Sequence, residues 1–189
     1  MKSPRGFLTF LIVLAAAAAP LQVAARDTVV IDFANMPRNA DGSRQRAYEY
    51  GYGDWDDAGR KVGQILDKGL LINLAGSKGG IGSNSDFGIT KETRVRFDLV
   101  IGNRNEADTL TLALVDKDGT DQSWDIVLKD QPVSRELGVV LDLTKPSRED
   151  KPGKKPGLNL RKIASWQIRG NFQDKPVEVL IARVTALSE

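Results

Sequence analysis

The sequence predicts an all-β fold: a two-sheet antiparallel β-sandwich (jelly roll) of about 8–10 strands. Apolar and polar residues alternate along the long segments, so that one face of each strand is apolar. Gly, Asn, Asp and Pro separate these segments, and almost no stretch shows the 3.6-residue period of a helix. A strand with one apolar face needs a second layer to cover it, which favours a sandwich over its competitor, a closed barrel.

The elements follow from this alternation in chain order. In residues 93–101, for example, Val95, Phe97 and Leu99 share one face. The sequence Asp-Lys-Asp-Gly at 116–119 predicts a hairpin turn, and Trp124 and Trp166 share faces with isoleucines and are predicted to be core. A short helix is predicted over 58–67 and one helical turn over 158–163. The predicted strands are 28–33, 70–75, 93–101, 109–115, 122–128, 137–143, 164–169 and 177–187.

Residues 1–25 have the pattern of a secretory signal peptide. Lys2 and Arg5 precede an apolar run over 7–19, and small residues ending at Ala25 suit a cleavage site. An uncleaved membrane anchor is the alternative, but the run of about 13 residues is shorter than the roughly 20 that span a bilayer. We therefore expect export to the periplasm or the cell exterior, no membrane span after cleavage, and one β-sandwich domain over 26–189.

Charge and composition exclude several classes of function. The chain has 27 basic and 25 acidic residues, and both excess charges lie in the signal peptide, so the remainder is neutral and a nucleic-acid partner is not predicted. With no His and no Cys, the chain cannot form a Ser-His-Asp triad, a disulfide or a thiolate metal site. A glycosidase needs only two carboxylates, so an enzyme is not excluded. The oligomeric state is left open.

One candidate site is a short segment rich in aromatic and acidic residues. It contains Tyr48, Tyr50, Tyr52, Trp55 and Asp57, and the three tyrosines share a face if the segment is extended. Aromatic rings can cover the apolar face of a sugar ring, and carboxylates can accept hydrogen bonds from its hydroxyl groups. The alternative is that the tyrosines pack across the rim of the sandwich while the acids are solvated.

A second candidate site is formed by the polar faces of the long strands. Arg94, Arg96, Asp125, Gln167 and Arg169, with neighbouring Asp and Thr residues, are predicted to line one concave sheet. Planar multidentate side chains recognise adjacent hydroxyls or carboxylates. The alternative is a solvated face with weak ion pairs.

Three loops carry residues that superficially suggest other chemistry. Residues 116–121 lack the spacing of a calcium loop, and the glycine-rich residues 76–82 lack the order of a phosphate-binding loop. Residues 145–159 are rich in Lys and Pro; they could touch an acidic polymer, but their mixed charges favour a solvated linker.

From residue 70 onward the chain resembles the carbohydrate-binding-module-like, galactose-binding-like jelly rolls of secreted bacterial proteins. The segments that carry the resemblance are 94–103, the hairpin 110–120, the helical turn and strand 158–170, and the last strand 177–184. The resemblance implies a β-sandwich and often a sugar ligand. Many such domains hold a structural calcium, and Asp32 lies at a suitable place, but the last strand lacks the expected Asp.

Together these observations predict a secreted, non-catalytic carbohydrate-binding module with no cofactor, and leave open whether it binds a structural calcium. The alternative is a structural or protein-interaction sandwich without a sugar site. A polysaccharide-degrading enzyme is the third class: a lyase would use Tyr48, Tyr50 or Tyr52 as base and Arg94 or Arg96 to neutralise a uronate.

Overall fold

The computed structural model describes residues 26–42, 48–53, 64–66, 68–75 and 78–188. In these residues the chain forms twelve strands and two 3-10 turns, Phe33–Asn35 and Leu160–Lys162. The strands are β1 (Thr28–Asp32), β2 (Tyr50–Gly53), β3 (Gln64–Leu66), β4 (Gly69–Ala75), β5 (Lys78–Ser83), β6 (Arg94–Ile101), β7 (Thr109–Asp116), β8 (Asp121–Val127), β9 (Glu136–Asp142), β10 (Arg148–Lys151), β11 (Ile163–Asn171) and β12 (Pro176–Leu187).

The strands form two six-stranded antiparallel sheets, so the predicted β-sandwich is confirmed. The first sheet has the order β3-β4-β12-β6-β9, with β1 also pairing with β12. The second sheet has the order β10-β8-β7-β11-β5-β2. Strands distant in sequence are neighbours in both sheets, as in a sandwich whose connections cross between layers.

Between the sheets lies one apolar core, built from the inward-facing residues of the alternating strands. Phe97 and Leu99 of β6 contribute from the first sheet, and Leu112 of β7 contributes from the second. Trp124 and Trp166 are both buried, as predicted, and the Trp166 ring lies 6.2 Å from that of Phe87 between centroids. This core must hold the domain without disulfides, since the chain has no cysteine.

All eight predicted strands are present, each within two residues of its expected ends, and the helical turn near 160 is confirmed as a 3-10 turn. Two predictions were wrong. Residues 64–66, expected to end a helix, form β3 instead because they pair with β4. Residues 145–159, expected to be a solvated linker, include β10, which pairs with β8.

Some predictions fall outside the described residues. These are the signal peptide over 1–25, most of the helix expected over 58–67, and the side chains of Trp55 and Asp57. In the part of the chain that the structure describes, no helix is both long enough and apolar enough to span a bilayer.

Candidate functional site

The candidate site is the outer face of the second sheet. Because side chains alternate along a strand, the strand register brings outward-facing residues of distant segments into rows across the sheet. One row joins Tyr50, Gly82, Gln167, Ala113 and Ser123. The next row joins Tyr52, Gly80, Arg169, Thr111 and Asp125.

Glycines in β5 make room for the tyrosines of β2. A Cβ atom on Gly80 would lie 2.8 Å from Tyr52 Oη and 2.8 Å from Arg169 Cβ, closer than such atoms approach in proteins. A Cβ atom on Gly82 would lie 2.8 Å from Tyr50 Oη. The tyrosine side chains therefore lie over the bare backbone of β5, in space that any other residue would fill.

Hydrogen bonds hold these tyrosines in place. Tyr52 Oη donates to Gln167 Oε1 at 3.1 Å, and Gln167 Nε2 donates to Tyr50 Oη at 3.2 Å. Arg169 Nη1 lies 3.4 Å from the same Gln167 Oε1. Burial raises the pKa of the Tyr52 phenol, and the nearby Arg169 guanidinium opposes that rise. Tyr52 therefore stays protonated at neutral pH and acts as a hydrogen-bond donor.

Two arginines and two aspartates continue the network across the sheet. Arg169 Nη2 donates to Ser123 Oγ at 2.7 Å and pairs with Asp150, which also accepts from Ser123. Arg148 of β10 donates to Asp125 Oδ1 at 3.3 Å and lies 3.6 Å from Asp150 Oδ1. These bonds hold the long arginine side chains against the sheet, in fixed positions beside the tyrosines.

Asp121 lies at the edge of this network. Its Oδ1 atom is buried and has no hydrogen-bond partner among the described residues. Burial raises the pKa of its carboxyl; Arg169 opposes the rise and Asp150 adds to it. The fold thus keeps a poorly solvated carboxyl group next to the polar face.

A cleft of about 550 Å³ opens above these residues. Its walls combine an aromatic ring, two arginines and small or hydroxyl-bearing residues, so that it offers one apolar surface and many hydrogen-bonding groups. The cleft is lined by Tyr52, Gly53, Lys78, Gly79, Thr109, Thr111, Arg148, Arg169, Gly170 and Asn171.

The structure brings five of the predicted site residues together: Tyr50, Tyr52, Asp125, Gln167 and Arg169. The expectation that Tyr48 shares their face is wrong. Tyr48 precedes β2 and is buried in the core, 6% exposed, whereas Tyr52 is 38% exposed. Alternation applies only within a strand, and β2 begins at Tyr50.

The expectation that Arg94 and Arg96 line this face is also wrong. Both lie on β6 in the first sheet, on the far side of the core, and Arg96 Nε donates to Asp98 Oδ1 at 2.8 Å. The lyase arrangement of a tyrosine beside Arg94 or Arg96 is therefore not formed.

Sequence reasoning missed several residues of the site. Arg148 and Asp150 lie in residues 145–159, which were expected to be a linker, and Asp121 and Ser123 were not predicted to be site residues. Gly80 and Gly82 were considered only as part of a phosphate-binding loop, which the order of residues 76–82 does not match. A usable signal was present: Asp121, Ser123 and Asp125 share the outer face of a strand whose inner face carries Trp124.

The surroundings of Asp32 do not fit a calcium ion. Its two carboxylate oxygens accept from the backbone and side-chain nitrogens of Asn35, at 3.2 and 2.9 Å, and so cap the first 3-10 turn. The guanidinium of Arg183 lies 4.0 Å from the same carboxylate, and its positive charge opposes a bound cation. In the described segments no group of three or more acidic side chains could hold a metal ion.

Comparisons with known proteins give loose structural likenesses. No model of a known protein family matches the chain, and no curated protein matches it. Among solved structures it is similar to the family 11 carbohydrate-binding module from Clostridium thermocellum, determined in complex with a β-1,3-1,4-mixed-linked tetrasaccharide. That likeness has 13% identity and a TM-score of 0.46, and covers 63% of this chain and 75% of the module.

Two further structures have similar scores. The xylan-binding module CBM15 is 11% identical with a TM-score of 0.44, over 71% of this chain and 86% of that one. PfGH50B is 18% identical with a TM-score of 0.47, over 64% of this chain but only 21% of its own. Carbohydrate-binding modules, the class indicated by the sequence resemblance, are thus among the similar structures. TM-scores this low carry no argument about the fold or the site, and both are therefore described from the contacts of this chain's own residues.

Proposed function

We propose that the chain is an exported, non-catalytic module that binds a polysaccharide in the cleft of the second sheet. The observation that carries this function is the pair of tyrosines lying over glycines and hydrogen-bonded to Gln167, beside Arg169. Such a surface suits a sugar chain, because the ring covers C–H groups while the fixed amide and guanidinium groups bond hydroxyls.

The ionisation of the site supports binding over catalysis. A tyrosine acting as base needs a lowered pKa, and burial raises that of Tyr52. The carboxylates of Asp125 and Asp150 are each paired with an arginine, so part of their hydrogen-bonding capacity is already used within the sheet.

The sequence of residues 1–25 supports export. We expect cleavage after Ala25, so that the mature protein begins at Arg26. Expression with the natural N-terminus in a secreting bacterium, followed by intact-mass measurement, tests this. A mass that retains residues 1–25 in the membrane fraction would indicate an anchor instead.

The binding function is tested by affinity electrophoresis of the purified protein in gels containing single soluble polysaccharides: mixed-linkage glucan, xylan, galactan and polygalacturonate. We expect at least one of them to retard migration. Arg169→Gln should abolish the retardation by the neutral polysaccharides, and Arg94→Gln, which removes the same charge from the other sheet, should not.

Two results would contradict the proposal. If no polysaccharide retards the protein, the structural or protein-interaction sandwich becomes the better explanation. If new reducing ends or unsaturated uronates accumulate when the protein is incubated with the same polysaccharides, the module is an enzyme.

A further inference from the structure

The Lys- and Pro-rich segment after β10 is tied to the hairpin between β7 and β8 by one buried carboxylate. Asp116 is 3% exposed, and its Oδ1 accepts from the backbone N–H groups of Asp118 and Thr120, at 2.9 and 3.0 Å. Its Oδ2 accepts from the backbone N–H of Asn159 at 2.8 Å. Asp116 therefore fixes both the hairpin turn and the end of the segment.

Further contacts hold the rest of the segment. Lys154 N donates to Asp118 O at 3.1 Å, and Thr120 Oγ1 lies 3.4 Å from Gly157 O. A Cβ atom on Gly153 would overlap Thr120 Oγ1, which shows how closely the two backbones approach. Residues 152–159 therefore have a fixed backbone beside the hairpin, and we call them the wall. Their side chains project from this fixed backbone.

Between this wall and residues 90–91 lies a second cleft, of about 430 Å³, at the end of the sandwich. We call it the basic cleft. Lys91, Lys155 and Arg161 line it, with Asp118 as the acidic residue of its lining.

Three more cations surround the basic cleft. Lys154 precedes Lys155, and Lys117 N donates to Lys162 O at 2.9 Å, which places residues 117 and 162 side by side. All six cationic side chains of this region are exposed. Within the described residues, none of them is within ion-pairing distance of a carboxylate.

Three acids nearby, Glu92, Asp116 and Asp118, offset only part of this charge. Glu92 accepts from the backbone N–H groups of Thr90 and Lys91, so its carboxylate is bound to its own turn. Asp116 is buried and satisfied by backbone donors. The surface therefore carries a net positive charge, although residues 26–189 as a whole are neutral, and such a patch attracts polyanions.

We propose that the basic cleft is a second binding surface, for a polysaccharide that carries carboxylate or sulfate groups. It is independent of the cleft on the second sheet, which is built from other residues. Contacts of Asp116 and its neighbours fix the wall, and a wall fixed by the protein's own contacts lowers the entropic cost of binding.

The shape and lining favour a polysaccharide over other polyanions. A membrane site would need apolar side chains that enter the lipid, but Leu158 and Leu160 pack against the core. Single-stranded nucleic acid is held largely by stacking on aromatic rings, and the lining of this cleft has none among its described residues. A concave lining of lysine and arginine suits a chain with regularly spaced anionic groups.

The test uses the purified full chain and two double variants that each remove two positive charges. Lys155→Gln with Arg161→Gln alters the basic cleft. Lys129→Gln with Arg135→Gln is the matched control, because both residues are exposed in the loop at the other end of β8. Thermal unfolding of both variants shows whether either change disturbs the fold.

Binding is measured by fluorescence anisotropy of labelled polygalacturonate, dextran sulfate and neutral dextran. We expect one or both anionic polymers to bind and neutral dextran not to bind, with binding weakened by added salt. The basic-cleft variant should bind roughly 30-fold more weakly if each cation contributes as a lysine does near an anionic surface, and the control should match the wild type. The two anionic polymers distinguish carboxylate from sulfate recognition.

Separate outcomes identify which proposal has failed. Equal binding by the two double variants would overturn the basic cleft, as would binding to anionic lipid vesicles but to neither polymer. Tyr52→Ala should leave anion binding unchanged. Loss of retardation by neutral polysaccharides in that variant concerns the cleft of the second sheet alone.

Discussion

Tyr52 Oη and Gln167 Oε1 meet at 3.1 Å across β5, a strand whose outward-facing positions between them, Gly80 and Gly82, carry no side chain. The contact joins an edge strand near the beginning of the domain to a central strand near its end. Glycine is unfavourable in strands, so three glycines within six residues are a cost to this sheet. The absence of side chains at Gly80 and Gly82 leaves the space in which Tyr52 and Tyr50 lie.

Gly80→Ala tests this arrangement. The new methyl group would lie within 3 Å of Tyr52 and Arg169, so we expect both side chains to move and polysaccharide affinity to fall about tenfold or more. The free energy of unfolding should fall by about 1–3 kcal/mol, because Tyr52 can move but Arg169 Cβ is attached directly to the backbone of β11. Gly138→Ala is the control: it lies in a strand of the other sheet, 3.1 Å from Arg96 Cδ. Equal affinity in both variants would contradict the role of Gly80.

Tyr52→Ala and Tyr52→Phe separate the ring from the hydroxyl. The alanine variant loses both and should bind about tenfold more weakly or worse, since ring contacts contribute about 1 kcal/mol beyond their buried area. The phenylalanine variant keeps the ring but leaves Gln167 without the donated hydrogen bond, so its affinity should be intermediate. Isothermal titration with the retarding polysaccharide measures both. A phenylalanine variant as weak as alanine would show that the hydroxyl, not the ring, recognises the ligand.

Asp121→Asn should stabilise the protein in a pH-dependent way. Burial raises the pKa of Asp121 above its ordinary value of 3.8, so ionisation is less favourable in the folded than in the unfolded chain. Stability is therefore lost as pH rises from about 3.8 through the folded-state pKa. The neutral asparagine avoids this loss, and Tm should rise on the order of 2 °C at pH 7 but not at pH 3. A gain that is equal at both pH values would indicate a cause other than ionisation.

Asp116→Ala should be strongly destabilising. Three backbone N–H groups, one buried and two partly buried, would lose their acceptor, which costs about 2–4 kcal/mol in the free energy of unfolding. Trypsin should then cut after Lys154 faster than in the wild type, because the wall of the basic cleft is released. Asp118→Ala removes the neighbouring carboxylate that makes none of these bonds, and its unfolding curve should remain close to that of the wild type.

The sequence predicted the strands that alternate and missed those that do not. The segment 94–101 buries every second residue, and its pattern is readable without a structure. The strand Lys78–Ser83 is half glycine and Arg148–Lys151 is entirely charged, so neither carries the apolar period from which strands are inferred. Both are held by pairing with their neighbours, a tertiary effect that overrides local propensity.

For the candidate site, the sequence predicted which residues of one strand share a face, but not which strands belong to the same sheet. Alternation showed correctly that Gln167 and Arg169 share one face of their strand. It showed equally correctly that Arg94 and Arg96 share one face of theirs. It could not show that β11 and β6 belong to different sheets, because sheet membership depends on pairing between distant segments. Tyr48 illustrates the other limit: a period of two predicts a shared face only where the strand has already begun.

The tyrosines of the cleft are carried by β2, the outermost strand of the second sheet, which pairs with β5. Edge strands open locally at a lower free energy than central ones, so the amide hydrogens of β2 should exchange with solvent faster than those of β7 and β11. A sugar chain resting on Tyr50 and Tyr52 would slow that exchange without altering the centre of the sheet. In such a complex, part of the binding free energy would be spent on holding the backbone of β2 in place.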